Sequence, residues 1–299
     1  MLSKMKKYWS QPNHAAYVFL FPSLLVLFAF VIIPLIGTFI ISFLDMNIFL
    51  NNIKFVGFDN FVRFFQDSRA LNAFKNTLYF ALLETPMQII FGLVMAVLVS
   101  KNSKFKKFCR SIYFIPVVCS MTSIGIIFSM LLDPNIGAVP YFFKQLGMAT
   151  PQFFRDPTMA MPTVALMTVW KNFGVTMTIL LTGIHGISES LYEAASIDGA
   201  TEAQKFFQIT IPQLAPSLGF CLLTNLIGSL QVFDQVYVTT NGGPQFRTET
   251  AVQYIYSRGF SAPYELGYAS AISFVLFVVI AGLAVAVNIF NNRQERNMR

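Results

Sequence analysis

The sequence predicts an all-α membrane protein with six transmembrane helices and both termini cytoplasmic. Three observations carry that prediction. Only 12% of the 299 residues are charged while 55% are hydrophobic, against about 25% charged in an average soluble domain. Six apolar stretches, near 16–43, 77–99, 109–131, 159–183, 214–236 and 267–290, each reach the roughly 20 residues that a helix needs to cross hydrocarbon. Lysine and arginine are distributed unevenly between alternate loops, as topology demands. A membrane barrel would show short alternating segments instead.

The first stretch is the longest and contains Pro22 and Pro34, so it is either kinked or enters the membrane late. It is too long for a removable signal peptide, and no small-residue cleavage site follows it. With the N-terminus inside, the inner segments hold 12 basic residues: Lys4, Lys6, Lys7, Lys101, Lys104, Lys106, Lys107, Arg110, Lys205, Arg293, Arg296 and Arg299. The longer outer loops hold eight: Lys54, Arg63, Arg69, Lys75, Lys144, Arg155, Arg247 and Arg258. The net charge of +7 is thus explained by topology and anionic lipid and requires no nucleic acid. The basic run from Lys101 to Arg110 reads as a topology determinant, with a phosphate or lipid contact as the alternative. Cys109, Cys119 and Cys221 fall in or beside spans, which suits small buried residues better than a disulfide framework.

The loop at 184–213 breaks the charge pattern, with Lys205 as its one base against Glu189, Glu193, Asp198 and Glu202. Ser190-Leu-Tyr-Glu193 matches a capping box, and Thr201-Glu-Ala-Gln204 matches a second. Gly199 stands where a helix would stop in the left-handed region. Pro212 and Pro216 mark the entry to the next span. The loop therefore reads as helix, glycine turn, helix, with a first helix of about eight residues. So short a helix needs a partner surface. One reading is an interfacial element resting on lipid, but such helices carry Lys and Arg on their polar face. The acidic face here favours a protein partner.

At these residues the sequence resembles the EAA signature of permease subunits of binding-protein-dependent ABC importers. The matching positions are Glu193, Ala194, Ala195, Gly199, Ile209, Ile211 and Pro212, with every spacing kept. Ile211 stands where that family more often has Leu. Phe233-Asp-Gln-Val-Tyr-Val-Thr-Thr-Asn-Gly-Gly-Pro244 and Phe55-Val-Gly-Phe-Asp-Asn-Phe61 are similar to segments of carbohydrate permeases of the maltose, glycerol-3-phosphate and multiple-sugar type. Gly267-Tyr-Ala-Ser-Ala271 is similar to the opening of their last span. The resemblance implies the type I importer permease fold as one domain over 1–299, in a prokaryotic plasma membrane. It implies that the loop, through Glu193, Ala194, Ala195, Asp198, Gly199, Ile209 and Pro212, is the coupling element for a cytoplasmic ATPase dimer. A second homologous permease and an external sugar-binding protein are the other implied partners.

No glycine is followed by lysine, so the P-loop pattern is missing. ATP and Mg are then expected on the partner ATPase, with no cofactor in this chain. Only His14 and His185 are present, which excludes HExxH zinc chemistry, and no Gly-x-Ser-x-Gly elbow occurs. The chain is expected not to be an enzyme.

Ionisable groups inside spans are costly and mark functional sites by default. Glu84, Lys171 and Asp234 are the three here, Asp234 lying near the outer end of its span. Lys171 either pairs with Glu84 or a helix-end carbonyl, or lines a substrate path. Sugar sites combine hydrogen-bonding side chains with an aromatic face, so Trp170, Lys171, Asn172, Asn225, Ser229 and Gln231 are the candidate path residues. The resemblance places sugar contacts on the two spans flanking the coupling loop. Gly242-Gly243-Pro244 reads as a tight turn or as a contact for the binding protein. The rival function is an ion-coupled secondary transporter using Glu84 and Lys171. Such folds commonly carry internal repeats, and none is visible between the two halves.

Overall fold

A computed structural model describes residues 12–50, 53–101 and 103–297. The expected inner bases Lys4, Lys6, Lys7 and Arg299 lie outside these. Among the described residues, four helices are long and apolar enough to cross a membrane, or six if each of two bent helix pairs is one span. The chain divides into two compact units, one of residues 1–66 with 255–275 and one of residues 67–254 with 276–299.

In the first unit, α1 (Pro12–Leu27) and α2 (Ile33–Ile41) are joined by a π-helical turn at Phe28–Ile32. Pro34 cannot donate to the previous turn, and the ladder accommodates it by a wider bond from Ile33 N–H to Phe28 O. The two prolines thus leave a helix that runs on through a π-bulge. A two-residue hairpin follows, β1 (Leu44–Asp45) pairing antiparallel with β2 (Lys54–Phe55), and then α3 (Asp59–Gln66). The buried Asn60 donates to the carbonyls of Ser42 (2.9 Å) and Leu44 (3.0 Å). It thereby satisfies the carbonyl of the α2 C-cap and that of the first residue of β1. Phe39, Phe43, Phe58, Phe61 and Phe274 pack as a chain of tilted and edge-on rings.

The second unit is organised around α4 (Ser68–Val99). The predicted span began at 77, but the helix starts nine residues earlier. Asp67 is its N-cap, accepting from the N–H groups of Arg69 (3.0 Å) and Ala70 (3.2 Å). The polar residues Arg69, Asn72 and Lys75 occupy those first turns, so hydropathy alone places the boundary too late.

The third predicted span is not one straight helix. It is α5 (Lys104–Val118) and α6 (Met121–Leu131), bent by 95°. Cys119 and Ser120 both adopt extended backbone angles, and Pro116 lies just before them. After a short α7 (Ala138–Gln145) comes α8 (Ala160–His185), close to its predicted bounds. Helices α4 and α8 share an apolar core that includes Ala96, Val99, Phe173, Met177, Leu180 and Leu181.

Small residues set how closely the helices approach, as in other membrane bundles. A Cβ on Gly174 of α8 would lie 2.7 Å from the Tyr113 carbonyl oxygen of α5. Replacing Gly174 by Leu is therefore expected to lower the thermal midpoint of the purified protein. Overpacking of this kind costs about 1–3 kcal/mol. An unchanged midpoint would show that this contact does not constrain the bundle.

The candidate coupling segment comprises α9 (Glu189–Ile197), α10 (Glu202–Lys205), a π-helical turn at Phe206–Thr210 and α11 (Ile211–Gln213). The fifth predicted span, 214–236, is shorter than expected. Its helix α12 (Ala215–Leu230) ends at Leu230, and a separate α13 (Asp234–Thr239) follows. Asp234 is exposed in the first turn of α13, outside α12. The chain closes with α14 (Ala251–Phe260) and α15 (Leu266–Asn297), the last predicted span extended at its C-terminal end.

Candidate coupling loop and transport path

The turn between α9 and α10 follows from its residues. Gly199 takes φ +76°. Ala200 N–H donates to Ala195 O (2.9 Å) and Gly199 N–H to Ser196 O (3.2 Å). These two bonds are a complete Schellman cap, which requires the left-handed residue that glycine supplies at least cost. Thr201 and Gln204 form the expected capping box. The other expected box does not form. Helix α9 begins at Glu189, with Ser188 at the N-cap position, and the Ser190 hydroxyl instead bonds that of Ser188 (2.7 Å). With Ser190 inside the first turn, Glu193 is free of a capping role and is exposed.

The two arms of the loop are tied by a hydrogen bond between Tyr192 Oη and Thr210 Oγ1 (2.8 Å). Glu193, Ala194, Asp198, Gly199 and Pro212 are exposed, while Ala195 and Ile209 are half-buried. Sequence reasoning missed Ile197 and Phe207, which are 87% and 68% exposed. These bare apolar side chains lie beside the acidic turn and belong to the candidate interaction surface of the loop. The isolated EAA stretch gives no sign of either residue, since their exposure depends on how the two arms fold together.

A polar layer lies inside the bundle of α4, α8 and α12. Gln88 Nε2 donates to Thr176 Oγ1 (3.2 Å) and to Asn225 Oδ1 (3.1 Å). Asn225 Nδ2 donates to Thr176 Oγ1 (3.2 Å), closing a three-membered ring. One turn away, Thr85 and Ser229 share a hydrogen bond of 3.1 Å. Glu84 is also buried on this part of α4, and among the described residues Glu84 Oε2 and Gln88 Oε1 have no hydrogen-bond partner. Of the layer's members, Asn225 is half-buried, whereas Thr85, Gln88, Thr176 and Ser229 are buried. Thr224 and Gly228, flanking Asn225 on α12, and Gln231 at the helix's C-cap are exposed. Lipid offers such a polar stripe no hydrogen bonds, so it suits a water-lined path or another polypeptide.

The structure thus brings Asn225 and Ser229 together, with Gln231 at the C-cap of α12. Trp170, Lys171 and Asn172 are elsewhere on α8 and share no hydrogen bond with that layer. Lys171 Nζ donates to Val117 O (3.2 Å) and to Asn172 Oδ1 (3.2 Å). Val117 sits in the last turn of α5, so of the two structural alternatives the helix-end carbonyl holds, and no ion pair with Glu84 forms. The ammonium stabilises the negative C-terminal end of α5. Trp170 stacks at a tilt on Phe128 (5.3 Å between centroids) and lines a mainly apolar cavity of about 420 Å³ with Leu132, Phe153 and Leu166. Gln88, Thr85 and Thr176 were missed from sequence. The spacing of Glu84, Thr85 and Gln88 on one helical face was the available signal.

The segment containing Gly242-Gly243-Pro244 is clamped to the start of α4. Arg69 makes two hydrogen bonds to the Glu249 carboxylate (2.8 and 2.7 Å) and lies 4.0 Å from the centroid of the Phe246 ring. Asn76 donates to Phe246 O and Glu249 O, and Thr77 Oγ1 accepts from Ala251 N–H. Thr248 Oγ1 donates to Gly243 O (2.6 Å), closing the turn.

A helical membrane protein with a buried polar layer and an exposed, rigid loop between two spans is built as the membrane-spanning part of a transporter. Residues 88–299 match the family described as binding-protein-dependent transport system inner membrane component, and the chain belongs to that family. It is 31% identical over 273 residues to the probable ABC transporter permease protein YurN of Bacillus subtilis (strain 168), covering 90% of this chain and 93% of that one. It is 32% identical over 226 residues to the sulfoquinovosyl glycerol transport system permease protein SmoG of Agrobacterium fabrum, covering 76% and 73%. A chain from the crystal structure of a bacterial ABC transporter involved in import of the acidic polysaccharide alginate superposes with a TM-score of 0.82 at 25% identity, covering 97% of this chain and 99% of that one. The type I importer permease fold and the permease role, rather than an enzymatic one, are thereby established. The ion-coupled alternative gains no support from these relatives.

Proposed function

We propose that this chain is one of two homologous permease subunits of an ABC importer for a sugar or oligosaccharide in a prokaryotic plasma membrane. An external binding protein delivers the sugar. ATP and Mg are used by a separate ATPase dimer that docks on the loop at 184–213. Both termini and that loop are cytoplasmic, in line with the denser basic residues on that side. Closure of the ATPases pulls on the loop, tilts the spans around the polar layer and alternates access. Asn225, Ser229 and Gln231, with Trp170, Lys171 and Asn172 further along α8, are the proposed path residues. The sulfoquinovosyl glycerol and alginate systems support a carbohydrate as the substrate class.

The observation that carries this reading is the coupling loop. It is a Schellman turn and a capping box holding Glu193, Ala194 and Ile197 outward on a rigid frame. The test is ATP hydrolysis by the reconstituted complex, with and without its binding protein. Glu193→Lys is expected to reduce the stimulated rate to the unstimulated level. Stimulation equal to wild type would overturn the proposed coupling role.

A further inference from the structure

The basic run from Lys101 to Arg110 does more than set topology. The last carbonyls of α4 need cationic or polar partners, and Arg110 and His185 supply them. Arg110 Nε donates to Val99 O (3.1 Å) and Arg110 Nη2 to Ser100 O (3.2 Å), while His185 Nε2 lies 2.9 Å from Ser100 O. That leaves the lysines of the run without a task in the helix end. Lys101 and Lys107 converge on a cavity of about 970 Å³ beside the coupling loop, together with Lys205, Glu189, Glu202 and Phe206. Lys205 is paired with Glu202 (2.9 Å). Among the described residues, no carboxylate lies within ion-pair distance of Lys101, Lys104 or Lys107.

The same helix carries a second feature. Phe105 and Phe108, 73% and 63% exposed, sit among the lysines at the start of α5, and Ile112 and Ile115 continue the bare apolar stripe from Phe108 along the helix. Lys104 lies one turn before Phe108 on that face. Cations leading directly into an exposed apolar stripe match a molecule that is anionic at one end and hydrocarbon at the other. Basic pockets beside transmembrane helices hold phospholipid headgroups in this way. A free phosphate would have no use for the stripe.

We infer that this cavity binds the headgroup of an anionic phospholipid. Lys101 and Lys107 face its phosphate, Lys104 adds positive charge at the head of the stripe, and the acyl chains lie along Phe108, Ile112 and Ile115. Lys205 and the coupling loop form the opposite wall, so a bound lipid braces the loop against the membrane surface.

The test uses the full chain, purified in detergent and mixed with phosphatidylglycerol or phosphatidylcholine, with bound lipid counted by native mass spectrometry. Wild type is expected to retain phosphatidylglycerol about tenfold or more over phosphatidylcholine, as two interfacial lysines would give. Lys101→Gln with Lys107→Gln is expected to lose that preference, and Lys→Arg at both positions to keep it. Phe108→Ser is expected to weaken retention of both lipids. Lys107→Gln alone gives the same reading if the double variant does not purify. Equal retention of phosphatidylglycerol by wild type and the Gln variants would overturn the inference. So would displacement of the lipid by millimolar inorganic phosphate, which would make this a phosphate site.

Discussion

Gly267→Ala is expected to be among the most damaging single-methyl changes in the chain. A Cβ at this position would lie far inside van der Waals contact with the Leu44 carbonyl oxygen and 3.0 Å from the Leu44 carbonyl carbon. Both neighbours are backbone, so no side chain can turn aside. The helix α15 would have to move off β1, and the bond from Gly267 N–H to Met46 O (3.1 Å) would stretch with it. Overpacking ordinarily costs about 1–3 kcal/mol, and a rigid backbone obstacle belongs at or above the top of that range. The expected result is a lower thermal midpoint and less monodisperse protein in detergent. Gly282, on the same helix, has nothing within 4 Å of its position for a Cβ. Gly282→Ala is expected to be neutral or slightly stabilising, which controls for the helix itself. Equal midpoints for the two variants would refute this account of Gly267.

Arg69→Met is expected to release the segment that follows α13. Glu249 has a side chain only 4% exposed, and Arg69 supplies both of its charged hydrogen bonds. Removing one partner of a buried pair leaves an uncompensated charge and costs about 3–5 kcal/mol. The Arg69 side chain is 41% exposed, so solvent screening puts the loss at the lower end. Glu249→Leu added to Arg69→Met is expected to recover part of it, because the stranded carboxylate is gone. Arg247 is exposed in the same segment, so the readout is the rate of tryptic cleavage there. Cleavage is expected to be faster in Arg69→Met and slower again in the double variant. Identical rates in wild type and Arg69→Met would contradict the clamp.

Both predictions concern residues whose importance the sequence does not announce. Gly267 opens the Gly-Tyr-Ala-Ser-Ala segment, where the pattern is visible but its reason is not. The reason is a backbone more than 220 positions earlier in the chain. Arg69 lies before the predicted start of its span, because polar side chains in the first turns of α4 resemble a loop to any hydropathy reading. The spans at 159–183 and 267–290 were legible because their periodic apolar content continues unbroken. The bend at Cys119–Ser120 was not, since both arms are equally apolar and Pro116 is tolerated within a membrane helix.

The candidate coupling loop was the most legible part of the site. Its controls are local: a glycine in the left-handed region and a threonine–glutamine box lie within a few residues of each other. The serine cap of α9 was misplaced by two residues, because Ser188 and Ser190 both suit the position and only the helix start decides between them. The polar layer was half legible. Asn225 and Ser229 were expected from α12, but their partners Gln88 and Thr85 are 137 and 144 residues away, a distance that no local pattern spans.

The central claim is that the rigid turn at Gly199 presents the surface on which an ATPase docks. The most direct measurement is co-purification of the ATPase with this chain and its partner permease, comparing wild type with Gly199→Asp. A side chain at φ +76° strains the turn and adds negative charge beside Asp198. The account predicts that wild type retains the ATPase and that the variant, still inserted in the membrane with its partner permease, loses it. Retention of the ATPase by Gly199→Asp at the wild-type level would contradict it.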